Sequence, residues 1–345
     1  MRTPANSWLT LDVGGANIKA AHSGGGVRSL PFALWRQPDR LAPTIVQFAS
    51  AFPPAGRIAL TMTAELCDCF PTKREGVIAV LDAVETAFPG FPLAVWGLDG
   101  RLHAPEGVRD NPLVAAAANW LALATVAATL AGGGRGVLID VGSTTTDVIP
   151  LQDGRPVPAG RTDTERLQTG ELVYVGVRRT TVCALGESLP FRGRATGLAA
   201  ELFATTRDVF LTLGDLPEDP DDLETADGRP ATKAFARDRL ARTVGADREG
   251  FTDGDAARLS EAAREAVLAR LVTAAGRAGL AGSERPGVAV VAGSGEFLAR
   301  RLAARLLAPG GRVVSLSERW GAEASGAACA YALRIVAEGH EETAG

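Results

Sequence analysis

The 345-residue sequence has few of the features that mark secreted or nucleic-acid-binding proteins. It contains only 4 cysteines, and its first residues are polar, without the apolar run of a secretion signal. These features predict reduced thiols and a cytoplasmic location. The net charge is −4 and no basic run is present, so a nucleic-acid partner is not expected.

Long apolar runs are also scarce. The longest, 113–131, is rich in alanine but is interrupted by Asn119 and Trp120. It begins after Asn111-Pro112 and ends at a run of glycines, which are typical helix boundaries. A weak membrane span has a similar composition, but these boundaries favour a buried helix and no membrane partner.

The common nucleotide-binding fingerprints are absent. There is no G-x-x-x-x-G-K-S/T motif, and the glycines at 14–15 and at 142 precede β-prone runs rather than helices. The chain instead repeats one pattern at 11–20 and 139–148: a β-prone run ending in Asp, a Gly turn, and a second β-prone run. Hairpin signals follow at 23–26 and 152–154. The sequence therefore predicts two strand–turn–strand units.

The residue types at these two turns suit a phosphate chain. Glycine lets backbone amides approach an anion, successive amides form a nest for phosphate oxygens, and hydroxyls add donors. We predict phosphate contacts from the residues of both turns, namely Gly14, Gly15, Ala16, Asn17, Lys19, Gly142, Ser143, Thr144, Thr145 and Thr146. Ordinary hairpins with turn glycines are the alternative, and Lys19 in particular could be an outward strand residue.

The aspartates that precede the turns predict a metal ion. Asp12 and Asp140 would repel a phosphate chain unless a cation lies between them. Mg²⁺ binds one or two carboxylates together with phosphate oxygens. We therefore expect these two side chains to be ligands of Mg²⁺, with both turns gripping the same metal-bound phosphate chain.

Length and composition predict a globular α/β protein of two lobes. The hydrophobic share is 46% and the charged share 22%, and the chain is long enough for two cores. We place the first lobe at 1–131 and the second at 132–345. A helical insertion at about 196–280, interrupted by an acidic loop at 215–227, is either a substrate-facing subdomain or a surface elaboration.

Hydrophobic periodicity and turn residues predict the regular elements of both lobes. The predicted helices are 41–51, 73–88, 296–307 and 323–338, and the predicted strands are 57–62, 93–97, 288–292 and 313–316.

The order of the motifs resembles the actin–sugar kinase–Hsp70 superfamily. The chain carries D-x-G-G at 12–15, D-x-G-S-T-T-T-D at 140–147, V-A-G-S-G-E at 291–296 and G-A-E-A-S-G-A-A at 321–328. In that superfamily such segments are two phosphate loops, an adenosine loop and a connecting helix. The resemblance implies a two-lobed, ribonuclease H-like α/β fold, and within it the chain is similar to the hydantoinase/oxoprolinase branch.

A narrower resemblance covers nearly the whole chain. It is carried by LDVGGANIKAA, LTMTAELCDCF, AAAANWLALA, DVGSTTTDVIP, RTDTERLQTGELVYVGVRRTTVCAL and TADGR. These strings resemble the tetrahydromethanopterin-linked C1-transfer pathway proteins, bacterial relatives of the archaeal synthase that builds the methanofuran core. The resemblance implies a transferase that joins an aminomethyl-furan-methyl diphosphate to the phenol of a glutamylated tyramine or tyrosine and releases pyrophosphate.

Two other functions stay open from the same residues. One is an ATP-dependent hydrolase of hydantoinase/oxoprolinase type, or a small-molecule kinase. The other is a non-catalytic nucleotide-binding partner of C1-pathway enzymes. Each takes small molecules, and a homo-oligomer is compatible with all three.

The transfer to a phenol requires a base or a desolvated phenolate, because the pKa of a phenol is about 10. Glu65 follows the strand 57–62 and is the first candidate, although acids also decorate helix starts. Asp68 is a second catalytic candidate, as a metal or substrate ligand. Cys67 and Cys69 have no paired spacing elsewhere for a zinc site, and we interpret them as small buried apolar groups.

Two further segments carry candidate binding residues. Asp163 and Arg166 could orient substrate. Alternatively, Thr162 or Asp163 caps a helical turn and Arg166 pairs with an acid on the surface. Gly293, Ser294 and Gly295 form a turn between a strand and a helix, which favours a nucleotide or substrate anion. ATP is compatible with this turn, but the reaction implied by the resemblance does not require it.

Overall fold

The computed structural model describes residues 6–282 and 284–344. The strands are β1 (Trp8–Val13), β2 (Asn17–His22), β3 (Val27–Pro31), β4 (Arg57–Met62), β5 (Leu93–Trp96), β6 (Leu102–His103), β7 (Arg135–Val141), β8 (Thr146–Gln152), β9 (Arg155–Pro156), β10 (Leu172–Val173), β11 (Ser188–Phe191), β12 (Arg194–Gly197), β13 (Val288–Ala292) and β14 (Arg312–Ser315).

The helices lie between groups of these strands and after the last strand. They are α1 (Leu41–Ala49), α2 (Lys73–Ala87), α3 (Pro105–Asp110), α4 (Asn119–Ala131), α5 (Asp163–Thr169), α6 (Thr206–Leu213), α7 (Lys233–Thr243), α8 (Asp253–Arg277), α9 (Glu296–Leu306), α10 (Leu316–Trp320), α11 (Ala322–Gly326) and α12 (Ala328–Ala344). Short 3₁₀ turns lie at Leu34–Arg36, Pro38–Arg40, Ala64–Leu66, Pro112–Val114 and Val182–Leu185.

The chain divides into two compact units by its internal contacts. Unit 1 comprises 1–138, 149–166 and 314–345, and unit 2 comprises 139–148 and 167–313. This division follows packing, so the C-terminal helices group with the N-terminal sheet. The lobe boundary that we placed between residues 131 and 132 stays a prediction.

The first sheet has the strand order β3-β2-β1-β4-β5-β6. β1 pairs antiparallel with β2 and parallel with β4, and every one of its residues is buried. Leu11 joins the core cluster that includes Ile45 of α1 and Val80 of α2. Thr10 has the opposite orientation, and its hydroxyl donates to the Ala330 carbonyl of α12 at 2.7 Å. Alternate side chains point to opposite faces, so β1 is covered on both sides.

The second sheet repeats this arrangement. Its strand order is β10-β8-β7-β13-β14, and β9 also pairs with β8. Like β1, β7 lies between the second strand of its own hairpin and a strand from much later in the chain. The predicted strand–turn–strand units are therefore confirmed, and so are the hairpin turns at 23–26 and 152–154, which join β2 to β3 and β8 to β9.

The alanine-rich segment is a helix over only part of the predicted range. α4 begins at Asn119 rather than at residue 113, because Ala117 has a φ of 49°, which no α-helix accommodates. Among the described residues, 112–131 is the one stretch long and apolar enough to cross a membrane, and 67% of its most apolar window is buried inside the fold. A core helix has the same properties.

The predicted C-terminal helix at 323–338 is in fact two helices. α11 ends at Gly326, Ala327 leaves the helical conformation with φ −115° and ψ 35°, and α12 then continues to Ala344. Glycine's low helix propensity accounts for a break at this point. α12 packs against α4 and β1 within unit 1.

The predicted insertion is helical, as expected. α6, α7 and α8 pack on one another within unit 2, and the acidic segment at 215–227 is irregular. Arg239 and Asp208 form an ion pair of 2.7 Å between two side chains that are at most 1% exposed. The sequence did not predict the hairpin of β11 and β12 that precedes these helices.

Candidate active site

The first glycine turn connects β1 to β2 in unit 1. The Gly14 amide donates to the Asn17 carbonyl at 2.9 Å, and the Thr63 amide donates to the Val13 carbonyl at 3.0 Å. The amides of Gly15 and Ala16 donate to no other backbone group of the described chain. The turn is only half-buried, so these amides are available to an anion.

The second turn connects β7 to β8 in unit 2 and has the same bonds. The Gly142 amide donates to the Thr145 carbonyl at 2.9 Å, and the Gly295 amide donates to the Val141 carbonyl at 2.9 Å. Residues 142–145 are half-buried, as 14–17 are. The duplication in the sequence is therefore also present in the backbone hydrogen bonds. In each turn the carbonyl of the preceding valine accepts from an amide of a distant segment.

Asp12 lies beneath the first turn and is 5% exposed. Burial raises the pKa of this carboxyl, and the charge of Lys19 and a 3.5 Å contact from the Asn119 amide group oppose the rise. Lys19 is the cross-strand partner of Asp12 in the β1–β2 register, so it contributes directly to the charge of the site. A buried carboxylate with this little compensation is suited to hold a divalent cation.

Glu65 lies in the 3₁₀ turn that follows β4 and is 1% exposed. Neither carboxyl oxygen accepts a well-aligned hydrogen bond from the described residues, although the amides of Glu65 and Ala117 approach the carboxyl. Burial raises the pKa of this carboxyl to about 7, Asp163 adds to the rise, and Lys73 and the nearby amides of Glu65 and Ala117 oppose it. A carboxyl with a pKa near neutrality is suited to accept a proton at physiological pH. Glu65 is therefore not a solvent-exposed acid at a helix start, which was the alternative left by the sequence.

The first turn contacts the segment that carries Glu65. A Cβ added to Gly15 would lie 2.6 Å from the sulfur of Cys67, so the Cys67 side chain occupies space that a larger residue at position 15 would need. The first glycine turn and the buried carboxyl thus belong to one packed assembly at the carboxyl ends of β1 and β4. Open α/β sheets bind ligands at this edge.

The start of α4 lies beside both acids. Asn119 contacts Asp12, and the amide of Ala117, in its strained conformation, approaches Glu65. Strained backbone of this kind is concentrated at functional sites. We did not predict these residues; the signal available was a polar Asn-Trp pair within an alanine run.

Arg166 and Asp163 belong to the same neighbourhood. Arg166 is 2% exposed, pairs with Asp163 at 3.6 Å and stacks over the Trp120 ring at 4.2 Å. The alternative that Arg166 forms a surface ion pair is therefore wrong, because the indole of Trp120 covers it. The capping alternative holds for Thr162, whose hydroxyl accepts from the Glu165 amide at 3.3 Å.

In unit 2, the loop of Gly293, Ser294 and Gly295 packs on the second turn. Gly293 has a φ of +90°, and a Cβ there would lie 2.3 Å from the Val141 carbonyl and 2.4 Å from a carboxyl oxygen of Asp140. Ser294 is exposed. The strand, turn and helix predicted for this segment are confirmed as β13, the loop and α9.

We expect Gly293→Ala to lower the free energy of unfolding by about 3 kcal/mol, because it combines a strained φ with a backbone clash. Gly310 is the matched control, since its φ is +78° but a Cβ there meets no atom within 4 Å. Gly310→Ala should cost only about 1 kcal/mol. Urea unfolding measures both, and equal losses would contradict the close approach of Gly293 to the turn.

A loop at 176–180 also packs against the second turn. The Val177 amide donates to the Gly142 carbonyl, and the Arg178 and Arg179 amides both donate to the Ser143 carbonyl, each at 3.0 Å. A Cβ on Gly176 would lie 2.4 Å from the Thr144 nitrogen. The turn thus packs against both this loop and the 293–295 loop, and long-range contacts of this kind leave no signature in local sequence.

The remaining candidates are less enclosed. Asp68 is exposed, unlike Glu65. Cys67 and Cys69 are only partly buried, which is less than the predicted burial, and both pack against the apolar core as small apolar groups would. Burial raises the pKa of Cys67 to about 11, which keeps it a neutral thiol. Among the described residues no group of three or more His, Cys, Asp and Glu side chains could hold a metal ion.

Comparison with known proteins shows the family of this chain. Residues 57–333 match the model described as hydantoinase/oxoprolinase. The "(4-{4-[2-(gamma-L-glutamylamino)ethyl]phenoxymethyl}furan-2-yl)methanamine synthase" of Methanocaldococcus jannaschii is 37% identical over 250 residues, which cover 72% of this chain and 74% of that protein. The protein of the same name from Methanococcus vannielii is 39% identical over 111 residues, 32% of this chain and 50% of that protein.

Solved structures support the fold. A nucleotide-free acetone carboxylase has a TM-score of 0.50 at 11% identity, covering 94% of this chain and 70% of that one. An archaeal actin homologue in complex with ADP covers 96% of this chain and 99% of its own at 17% identity, with a TM-score of 0.44. Likeness at such identity concerns the fold alone. The predicted α/β fold is confirmed by the two mixed sheets and their helices, and the likeness to the acetone carboxylase supports it.

Proposed function

The chain belongs to the hydantoinase/oxoprolinase family, and we propose that within it the protein is a transferase of methanofuran or methylofuran biosynthesis that forms an aryl ether. It would join an aminomethyl-furan-methyl diphosphate to the phenol of a glutamylated tyramine or tyrosine and release pyrophosphate. The observation that carries this proposal is the 37% identity to the M. jannaschii synthase. The name of that relative describes a product with a phenoxymethyl-furan linkage, which is an aryl ether.

In this reaction the bond between the furfuryl carbon and its diphosphate oxygen breaks, and a bond from that carbon to the phenol oxygen forms. The diphosphate leaves with the electron pair of the broken bond. The phenol proton must go to a base. Glu65 is our candidate, because its carboxyl is 1% exposed, accepts no well-aligned hydrogen bond from the described residues and has a pKa of about 7.

The leaving diphosphate would be held by the glycine turns. The available amides of Gly15 and Ala16 support this role in unit 1, and the hydroxyls of Ser143 and Thr144 support it in unit 2. Preorganised donors of this kind stabilise charge that develops on a leaving group. That both turns hold the same diphosphate stays a prediction.

Asp12 and Asp140 would hold Mg²⁺. Their carboxylate oxygens are the donors that this ion prefers, and the buried Asp12 lacks a full counter-charge. When bound, Mg²⁺ would neutralise charge on the diphosphate. Lys19, opposite Asp12 in the sheet, would add a second positive charge near the same oxygens.

A second candidate is an ATP-dependent hydrolase of hydantoinase/oxoprolinase type. The description of the matching family model supports it, as does the turn at 293–295, which leads from β13 into α9. In that case the same turns would bind the phosphates of ATP.

One assay separates the two candidates. The protein is incubated with Mg²⁺, a furan-methyl diphosphate and γ-glutamyl-tyramine without ATP, and pyrophosphate and the ether are measured together. We expect one pyrophosphate for each ether formed. A second incubation contains ATP and Mg²⁺ without furan and phenol. Hydrolysis of ATP in this incubation, with no ether formed in the first, would overturn the transferase proposal.

A further inference from the structure

Arg178 lies beside the second glycine turn, in the loop that packs against it. Its backbone amide donates to the Ser143 carbonyl at 3.0 Å, so the base of its side chain is fixed at the turn. The side chain is 41% exposed and therefore accessible to a ligand. A guanidinium group can bind two oxygens of one phosphate at once.

The partner of this guanidinium is a residue of the acidic loop. Arg178 approaches the Asp222 carboxylate at 3.7 Å, too far for a hydrogen bond. The same carboxylate oxygen already accepts from Arg207 at 2.7 Å. The Asp222 carboxylate is therefore hydrogen-bonded to Arg207 and interacts only weakly with Arg178.

Arg207 is firmly placed. It is 6% exposed, lies in the first turn of α6 and also donates to the Glu224 carbonyl at 2.9 Å. Its neighbour Thr206 donates its hydroxyl to the Gly176 carbonyl at 2.7 Å. The acidic loop, α6 and the loop of Arg178 are thus connected by short bonds within unit 2.

The electrostatics leave Arg178 available to an anion. Burial and the nearby charge of Arg207 lower the pKa of Arg178, and the acids Asp222, Asp219 and Glu224 oppose this effect. A doubly charged phosphate group would compensate both guanidinium groups better than one shared carboxylate does.

We propose that Arg178 is a ligand of the diphosphate bound at the second turn, and that Asp222 holds Arg178 until the anion displaces this contact. This inference rests on the proposed role of the turn in binding a diphosphate. In this inference Asp222 competes with the substrate for the Arg178 guanidinium. The acidic loop of the insertion would therefore control anion binding.

The test is a titration of inorganic pyrophosphate with Mg²⁺ by calorimetry, using Arg178→Gln and Asp222→Asn. Arg178→Gln should weaken binding about tenfold or more, which is the effect of losing a charged hydrogen bond. Asp222→Asn should tighten binding about two- to fivefold, because an exposed competing ion pair is removed. Arg178→Lys should restore part of the affinity, since charge returns without the bidentate geometry.

Arg305→Gln is the matched control, because Arg305 is 38% exposed and pairs with Glu265 in the same unit. It should leave pyrophosphate binding unchanged. Opposite effects of the Arg178 and Asp222 substitutions support the inference, whereas a purely structural contact would give weaker binding in both. Weaker binding in both, or no change in either, overturns it.

A parallel titration with ADP separates this inference from the proposed function. If the protein is an ATP-dependent hydrolase, the opposite effects should occur with ADP rather than with pyrophosphate. The role of Arg178 then stands although the transferase proposal fails. If neither probe shows the opposite effects in variants that fold normally by circular dichroism, the role of Arg178 is wrong whatever the reaction.

Discussion

Replacing Glu65 by glutamine is expected to reduce kcat of ether formation about 100- to 10,000-fold, the usual contribution of a general base. Glutamine keeps the size of the side chain but cannot accept the phenol proton. Binding of the furan diphosphate should change little, because Glu65 does not contact the anion in the proposed mechanism. Steady-state kinetics with separate kcat and KM values measure this effect.

The pH dependence gives a second readout for the same residue. The base must be ionised, and burial raises the pKa of Glu65 to about 7, so kcat/KM should rise with pH and level off above about 7. Glu65→Asp should keep part of the rate and the same rising profile, whereas Glu65→Gln should lose it.

The free energy of unfolding should show the opposite dependence on pH. Because the pKa of Glu65 is higher in the folded state than the usual 4.5, the folded state binds more protons between the two values. The contribution of Glu65 to the free energy of unfolding therefore falls by about 3 kcal/mol as the pH rises from 4.5 to about 7. Glu65→Gln should remove this decline, as measured by urea unfolding at several pH values.

Glu106 supplies the control for these measurements. It is an exposed glutamate of unit 1, and Glu106→Gln should leave both the rate and the stability profile unchanged. A full rate in Glu65→Gln, or an unchanged pH profile, would exclude Glu65 as the base.

Asp12→Asn and Asp140→Asn are expected to lower Mg²⁺-dependent activity about a hundredfold or more, because each removes a charged ligand that stabilises the leaving diphosphate. Both should also raise the Mg²⁺ concentration needed for half-maximal rate. For Asp12→Asn the fold should be kept or stabilised, since the substitution removes the cost of burying a carboxylate.

Rates measured over a range of Mg²⁺ concentrations, together with thermal unfolding, test this expectation. Asp39, an exposed aspartate of unit 1, is the control, and Asp39→Asn should behave like the unaltered protein. Full rates with an intact Mg²⁺ dependence in both site variants would contradict their role as metal ligands.

The strands and turns around the site could be predicted because their signals are local. The predicted strands 57–62 and 288–292 coincide with β4 and β13, since apolar β-prone runs between turn residues leave few alternatives. The duplicated Asp and Gly pattern predicted two equivalent turns, and both have the same backbone bonds.

Helix boundaries were less predictable. The alanine run satisfies helix propensity throughout, yet Ala117 adopts a positive φ and α4 starts late. The break at Ala327 is a similar case. Propensity is a weak preference of less than about 1 kcal/mol per residue, and tertiary contacts override it.

The cytoplasmic location, the absence of a nucleic-acid partner and the oligomeric state stay predictions. They depend on composition, which describes the surface in general terms, and not on the arrangement of the residues discussed above.

The order of amino acids alone determined the paired turns, the strands beside them and the identities of the candidate acids, because backbone conformation and side-chain chemistry depend on neighbouring residues. Only tertiary packing decided that Glu65 is buried from water, that Arg166 stacks on the Trp120 indole and that Arg178 shares Asp222 with Arg207. Desolvation and charge pairing depend on segments far apart in the chain, and no local pattern specifies which of them meet.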